Sequence, residues 1–179
     1  QPTVVRLGTQ ENADFQTMVA KIATAGLSAD STETLAATVV DGKPVADLIT
    51  DAIATIGENM SLRRMEAVSA DTVVSYVHNA AADGMGKIGV LVGLSGNNDA
   101  FGKQVAMHLA AANPAALNEA SLDPAVVEKE KQIQMDIARE SGKPEAVIEK
   151  MIVGRMKKFM AESTLMGQAF VVNPDLTVE

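Results

Sequence analysis

Gly84-Met85-Gly86-Lys87-Ile88-Gly89 spells G-x-G-x-x-G, the spacing with which a glycine-rich turn cradles a dinucleotide pyrophosphate. That chemistry needs a strand before the turn and a helix after it, so that the helix N-terminus faces the phosphates. Here the order is reversed. A polar, Ala-rich stretch precedes the glycines and the apolar run Ile88 to Leu94 follows them. The glycines are therefore assigned to a flexible turn connecting strands, and no cofactor is expected. His78 and His108 are the two histidines. His108 lies one position round from the apolar face of a helix and reads as a partly buried structural residue. His78 follows a strand and precedes a loop, where general base, ligand and contact residue are all open to it. Neither has carboxylates at metal-ligand spacing, so no metal is expected. Ser95 sits in GLSGN, which fails the G-x-S-x-G elbow. The Asn59-Met60-Ser61 glycosylation triplet has no secretory signal to give it meaning. With no Walker loop and no cysteine, the inventory assembles no active site.

The composition is that of a folded, acidic chain. Its 179 residues suit one mid-sized domain or two small ones. With 47% hydrophobic and 21% charged residues it is not a disordered tail. The net charge of −8, broken only by short basic clusters, argues against direct nucleic-acid binding. The lack of cysteine removes disulfides and thiolate sites and suits a reducing, cytoplasmic setting. No apolar run approaches the ~18 residues of a membrane span, so no membrane association is expected. Tryptophan is absent and tyrosine occurs once, so packing falls to aliphatic residues and ten Met, which fill irregular gaps.

The elements that must position these residues follow from periodicity and caps. Thr3 to Leu7 reads as a short strand. Asn12 opens a helix whose Phe15, Val19, Ile22 and Ala23 recur at helical spacing until Gly26 stops it. Ser31 caps a short helix. Asp41-Gly42 suits a hairpin, but Lys43-Pro44 also suits a helix start, with Val45, Leu48, Ile49, Ala52 and Ile53 on one face. The preferred reading is a helix-to-helix link with Pro44 at the first helical position. Leu62 to Val68 reads as extended or mixed. Val73 to Val77 and Ile88 to Leu94 read as antiparallel strands around a longer loop. A helix follows from Asn98 to about Ala112, with Phe101, Val105, Leu109 and Ala112 on one face.

An internal repeat links the two helices. Asn12, Phe15, Val19 and Ala20 align without gaps on Asn98, Phe101, Val105 and Ala106, each set preceded by an apolar, strand-like run. The last third differs. Asp123-Pro124 is an N-cap plus first-turn proline, and Ser141-Gly142-Lys143-Pro144 ends one charged helix and starts another. The second helix carries Val147, Ile148, Met151, Ile152, Met156, Phe159 and Met160 on one stripe. Two amphipathic helices so closely joined must be antiparallel neighbours. Glu128 with Lys131 and Glu149 with Arg155 read as solvated charges. Arg155, Lys157 and Lys158 read as complements of the helix C-terminal dipole, with a partner contact as the alternative. The expected fold is α+β: two related subdomains of antiparallel strands packed with helices, plus an antiparallel helical hairpin forming a coiled-coil arm. Residues 1–62 and 63–122 make the subdomains, 123–167 the arm and 168–179 a return segment. The start at Gln1 and the apolar ending FVVNPDLTV read as a chain trimmed at both ends.

Collinear segments then resemble one family. IGENMSLRRMEAV at 56–68, SYVHNAAADGMGKIGVLVGL at 75–94 and KQVAMHLAAANPAAL at 103–117 are similar to bacterial elongation factor Ts, as is the arm from Asp123 to Met160. The resemblance covers roughly Asn12 to Val178 in one order. It implies a guanine-nucleotide exchange factor that binds elongation factor Tu, disturbs its Mg²⁺ and phosphate site, promotes GDP release and does no covalent chemistry. It also implies partner contacts at Ile56 and Gly57, the Ile-Gly pair of the IGEN segment, and at His78. Read alone, Ile56-Gly57 is a helix end with a buried Ile.

The chain departs from the family pattern in two ways. The family's small N-terminal helical domain is missing from the match. Its Thr-Asp-Phe-Val-Ala motif, whose Phe acts as a wedge, would fall at Arg6 to Gln10, which read RLGTQ. Weak or absent exchange activity is therefore expected of this chain. The alternative function is a protein-interaction module in which the arm forms a homodimer or recruits another helix.

Overall fold

The computed structural model describes residues 5–6 and 12–179. Two compact units divide the chain, residues 1–110 and 111–179. In the first, the order is β1 (Val5–Arg6), α1 (Ala13–Gly26), α2 (Thr32–Ala37), β2 (Val39–Val40), β3 (Lys43–Pro44), α3 (Val45–Ile56), β4 (Thr72–Ala82), β5 (Met85–Leu94) and α4 (Asp99–Ala112), which runs just past the division. Strands β1, β5 and β4 form a sheet in that order. β1 is parallel to β5, and β4 pairs antiparallel with β5 from Thr72–Leu94 to Ala82–Met85.

The repeat has a structural meaning at the helix starts. Asn12 Oδ1 accepts from the backbone N–H groups of Asp14 and Phe15 at 2.9 and 3.1 Å. Asn98 Oδ1 accepts from that of Phe101 at 3.2 Å. The repeated Asn is thus a cap that satisfies orphan N–H groups of the first turn, and the repeated Phe sits three residues on. On α4 that Phe101 is 40% exposed rather than facing the core as its spacing suggests. The first core gathers Ile22, Leu35 and Val45, with Met18, Val40, Ile49, Leu62 and Met65 packed around them.

Two expectations are corrected here. Asp41-Gly42 is a hairpin turn and not a helix-to-helix link: Val39 pairs with Pro44 and Val40 with Lys43. Asp41 and Gly42 take φ of 54° and 81°, the double positive φ that a tight hairpin turn demands. Pro44 is consequently the N-cap of α3, one position before the helix. Second, no longer loop joins the strands. β4 continues through Asn79-Ala80-Ala81-Ala82 to a tight turn at Asp83-Gly84, with a register shift between Ala80 and Ala82. Gly86 and Gly89 consequently lie inside β5, and only Gly84 of the glycine motif serves the turn. Leu62 to Val68, expected as extended or mixed, forms neither helix nor strand and is held by Leu62 and Met65 entering the first core.

The second unit holds α5 (Pro124–Glu140), α6 (Glu145–Ser163), β6 (Ala169–Phe170) and β7 (Asn173–Thr177). Asp123 Oδ1 accepts from the Ala125 N–H at 2.8 Å and Pro124 occupies the first turn, as the sequence predicts. Gly142, at φ 66°, breaks the chain between the helices. Ala138, Ile148, Ile152 and Met156 are buried between α5 and α6, flanked by Val127, Met135 and Phe159. Val147, expected in that stripe, is 42% exposed instead. The last residues form a small antiparallel hairpin of β6 and β7.

Candidate functional site

Ile56 closes α3 and is half-buried, while Gly57 is exposed. Gly57 takes φ 79° and ψ 14°, and its N–H donates to the Ile53 carbonyl at 2.9 Å. This is the left-handed helix cap that Gly favours. A Cβ built there would meet nothing within 4 Å, so the backbone angle and not crowding requires glycine. Both sides of this corner are anchored. Val45, fully buried, and Ile49 fix α3 from within, and Leu62 and Met65 fix the chain that leaves.

His78 lies within β4, opposite Ile88, and not after a strand as its neighbours suggested. Alternation puts Val74, Tyr76 and His78 on one face of the hairpin with Val92, Val90 and Ile88. At the base of this face Val74 and Val92 are buried, and α4 lies against it. Gly102 approaches so closely that a Cβ would stand 2.7 Å from Val74 Cγ2 and 2.9 Å from Leu94 Cδ1. Towards the turn the same face opens, leaving Ile88 partly exposed and His78 exposed. The Tyr76 hydroxyl stands 3.1 Å from His78 Nδ1, with ring centroids 6.1 Å apart and planes tilted by 42°. Tyr76 was not among the residues that the sequence reading placed in the candidate site. Its signal was the two-residue spacing, which puts residues i and i+2 of a strand on one face.

Ile56 and Gly57 thus stand together on one helix end, and His78 on a separate strand of the same unit. His108, expected to be partly buried, is fully buried on α4 beside Val105 and Ala106, which removes it from any surface role. Residues 7–10 of the segment aligned with the wedge motif lie outside the described residues. Among the described residues no group of three or more His, Asp or Glu is placed to hold a metal ion, and no helix is long and apolar enough to cross a membrane.

On the arm, Arg155 Nη1 donates to Gln134 Oε1 at 3.0 Å, and Gln134 Nε2 donates to Glu130 Oε1 at 2.7 Å. Lys158 reaches Glu162 at 3.6 Å. The helix-dipole reading of this basic cluster fails. α6 runs to Ser163 and its last turn carries no basic residue, whereas dipole effects fade beyond the terminal turn.

The comparisons with known proteins agree on one family. Residues 9–179 match the family model described as Elongation factor TS. The chain is 72% identical over 168 residues to the elongation factor Ts of Dinoroseobacter shibae. Identity is 70% over 168 residues to that of Ruegeria pomeroyi and 63% over 172 to that of Paracoccus denitrificans. Each match takes in 94% of this chain and 58% of the relative, so the chain spans under two thirds of their length. The chain belongs to the elongation factor Ts family.

Proposed function

We propose that the chain is the partner-contacting core of a guanine-nucleotide exchange factor that binds elongation factor Tu in the cytoplasm and promotes GDP release. The family match over residues 9–179 is the observation that carries this reading. Two exposed features suit a protein contact: the Ile56-Gly57 corner, pinned from both sides, and His78 beside the partly exposed Ile88. Neither requires covalent chemistry. Exchange works through negative coupling, in which bound factor weakens nucleotide binding and nucleotide weakens factor binding by the same factor.

The segment aligned with the wedge motif reads RLGTQ at residues 6–10, so the chain is expected to bind while exchanging weakly. Release of labelled GDP from elongation factor Tu tests this. The expected result is binding that GDP competes away, with acceleration of release well below that of a full-length elongation factor Ts. Binding indifferent to GDP would refute the exchange-factor reading, and full acceleration would refute the weak-exchange part alone.

A second reading is supported by Val126, Ile133 and Ile137, which lie on one side of α5 and remain 42–48% exposed. Such a stripe suits homodimerisation through the arm. Deleting residues 123–167 should then abolish self-association in sedimentation while leaving GDP-sensitive binding largely intact.

A further inference from the structure

We propose that Tyr76 is a positioning residue for His78: its hydroxyl holds the exposed imidazole with Nε2–H directed outward, to donate to an acceptor oxygen on the bound protein. This rests on the reading of His78 as a partner contact and specifies what that contact is. Strand geometry places the two side chains on one face, and the 3.1 Å separation of the Tyr76 hydroxyl from Nδ1 is a hydrogen-bond distance. A phenol is a better donor and a poorer acceptor than a neutral imidazole, so the hydroxyl donates and Nδ1 accepts. A neutral imidazole carries one proton, which then sits on Nε2.

The supports of the two rings differ. Tyr76 is half-buried opposite Val90, on a face whose base Val74 and Val92 fill. His78, one pair nearer the turn, is exposed and gains its orientation from Tyr76. A ring held before docking loses less rotational freedom when it docks, and its single outward donor selects a carbonyl or carboxylate over another N–H. The matching partner group is therefore an oxygen acceptor at the surface of the GTPase.

The test is a double-mutant cycle on affinity for elongation factor Tu, joined to nitrogen-15 spectra of the His78 ring in the free chain. Tyr76→Phe removes only the hydroxyl. It should weaken binding about three- to tenfold when His78 is present and have no effect in the His78→Ala background. In the spectra, the starting chain should show a protonated Nε2 and an Nδ1 shifted by hydrogen bonding, and Tyr76→Phe should abolish that shift. Equal losses in both backgrounds would show that the Tyr76 hydroxyl acts independently of His78 and overturn the proposal, as would a protonated Nδ1 in the starting chain. If His78→Ala alone leaves affinity unchanged, the contact reading fails and the positioning role falls with it. An unchanged melting temperature for Tyr76→Phe separates either outcome from misfolding.

Discussion

The β4–β5 hairpin and the α5–α6 hairpin both reverse the chain, yet they fix their residues by opposite means. In the first, each cross-strand pair is set by the backbone ladder, so His78 can be polar and exposed while its place opposite Ile88 stays fixed. In the second, the helices satisfy their own backbones and their alignment depends on Ala138, Ile148, Ile152 and Met156. A ladder positions a residue without burying it, whereas a helix pair positions residues only through those it buries. A residue that must remain exposed is better served by the ladder, and a pair of long helices by the buried stripe.

The comparison breaks first at Ile152. Ile152→Ala should cost about 2–5 kcal/mol, because the cavity lies in the stripe that aligns the two helices. Thermal unfolding followed by circular dichroism reads it, and a cost under ~1 kcal/mol would show that the stripe does not hold the arm. The ladder is challenged next by Gly86→Ala. The new Cβ would stand 2.5 Å from Val77 Cγ1 and 3.0 Å from the backbone oxygens of His78 and Asn79. Such crowding should cost about 1–3 kcal/mol and disturb the amide resonances of residues 77–80.

Gly57→Ala sharpens the contrast from the helix-end side, where open space surrounds the position and only φ 79° resists a side chain. Chemical denaturation should register a loss of about 1–2 kcal/mol, and Gly57→Asn, which tolerates that conformation, should recover part of it. Lys158→Ala should change stability by under ~0.5 kcal/mol, since the pair with Glu162 is exposed. The smallest effect belongs to Lys43, whose ammonium lies 2.6 Å from Asp51 Oδ2. The hydrogen bond to Asp51 and then the charge of Asp51 raise its pKa above the ordinary lysine value, desolvation opposes them, and the charge of Asp47 adds to the rise. A raised folded pKa gives a contribution fully present below the ordinary lysine value and lost as pH rises through the raised one. Melting curves from pH 8 to 11 should therefore show a small alkaline loss that Lys43→Met removes.

Helices were the legible part of the fold because their ends carry chemistry. Asn12, Ser31 and Asp123-Pro124 announce starts that the hydrogen bonds bear out. The β2–β3 hairpin was misread because strands of two residues offer no alternation to detect. β4 was cut short at Val77 because Ala80 to Ala82 have little strand propensity, and pairing with β5 imposes the conformation on them. Ile56 and Gly57 stood out through family resemblance alone, whereas His78 was already a candidate by its position and the resemblance narrowed it to a contact. No local rule marks His78 out from other exposed histidines as a contact. Tyr76 stood out in the sequence as part of the Tyr76-Val77-His78 tripeptide, but that it shares a face with His78 followed only once both lay inside one strand.

The register shift between Ala80 and Ala82 begins next to Asn79, at φ 52°, and lies wholly beyond His78. Pairing from Thr72–Leu94 to His78–Ile88 is complete before it. The shift therefore works as slack in the chain: losing one of the three alanines would straighten the tip without turning His78 to the other face. A change of length at the tip therefore leaves the residue just behind it opposite the same partner.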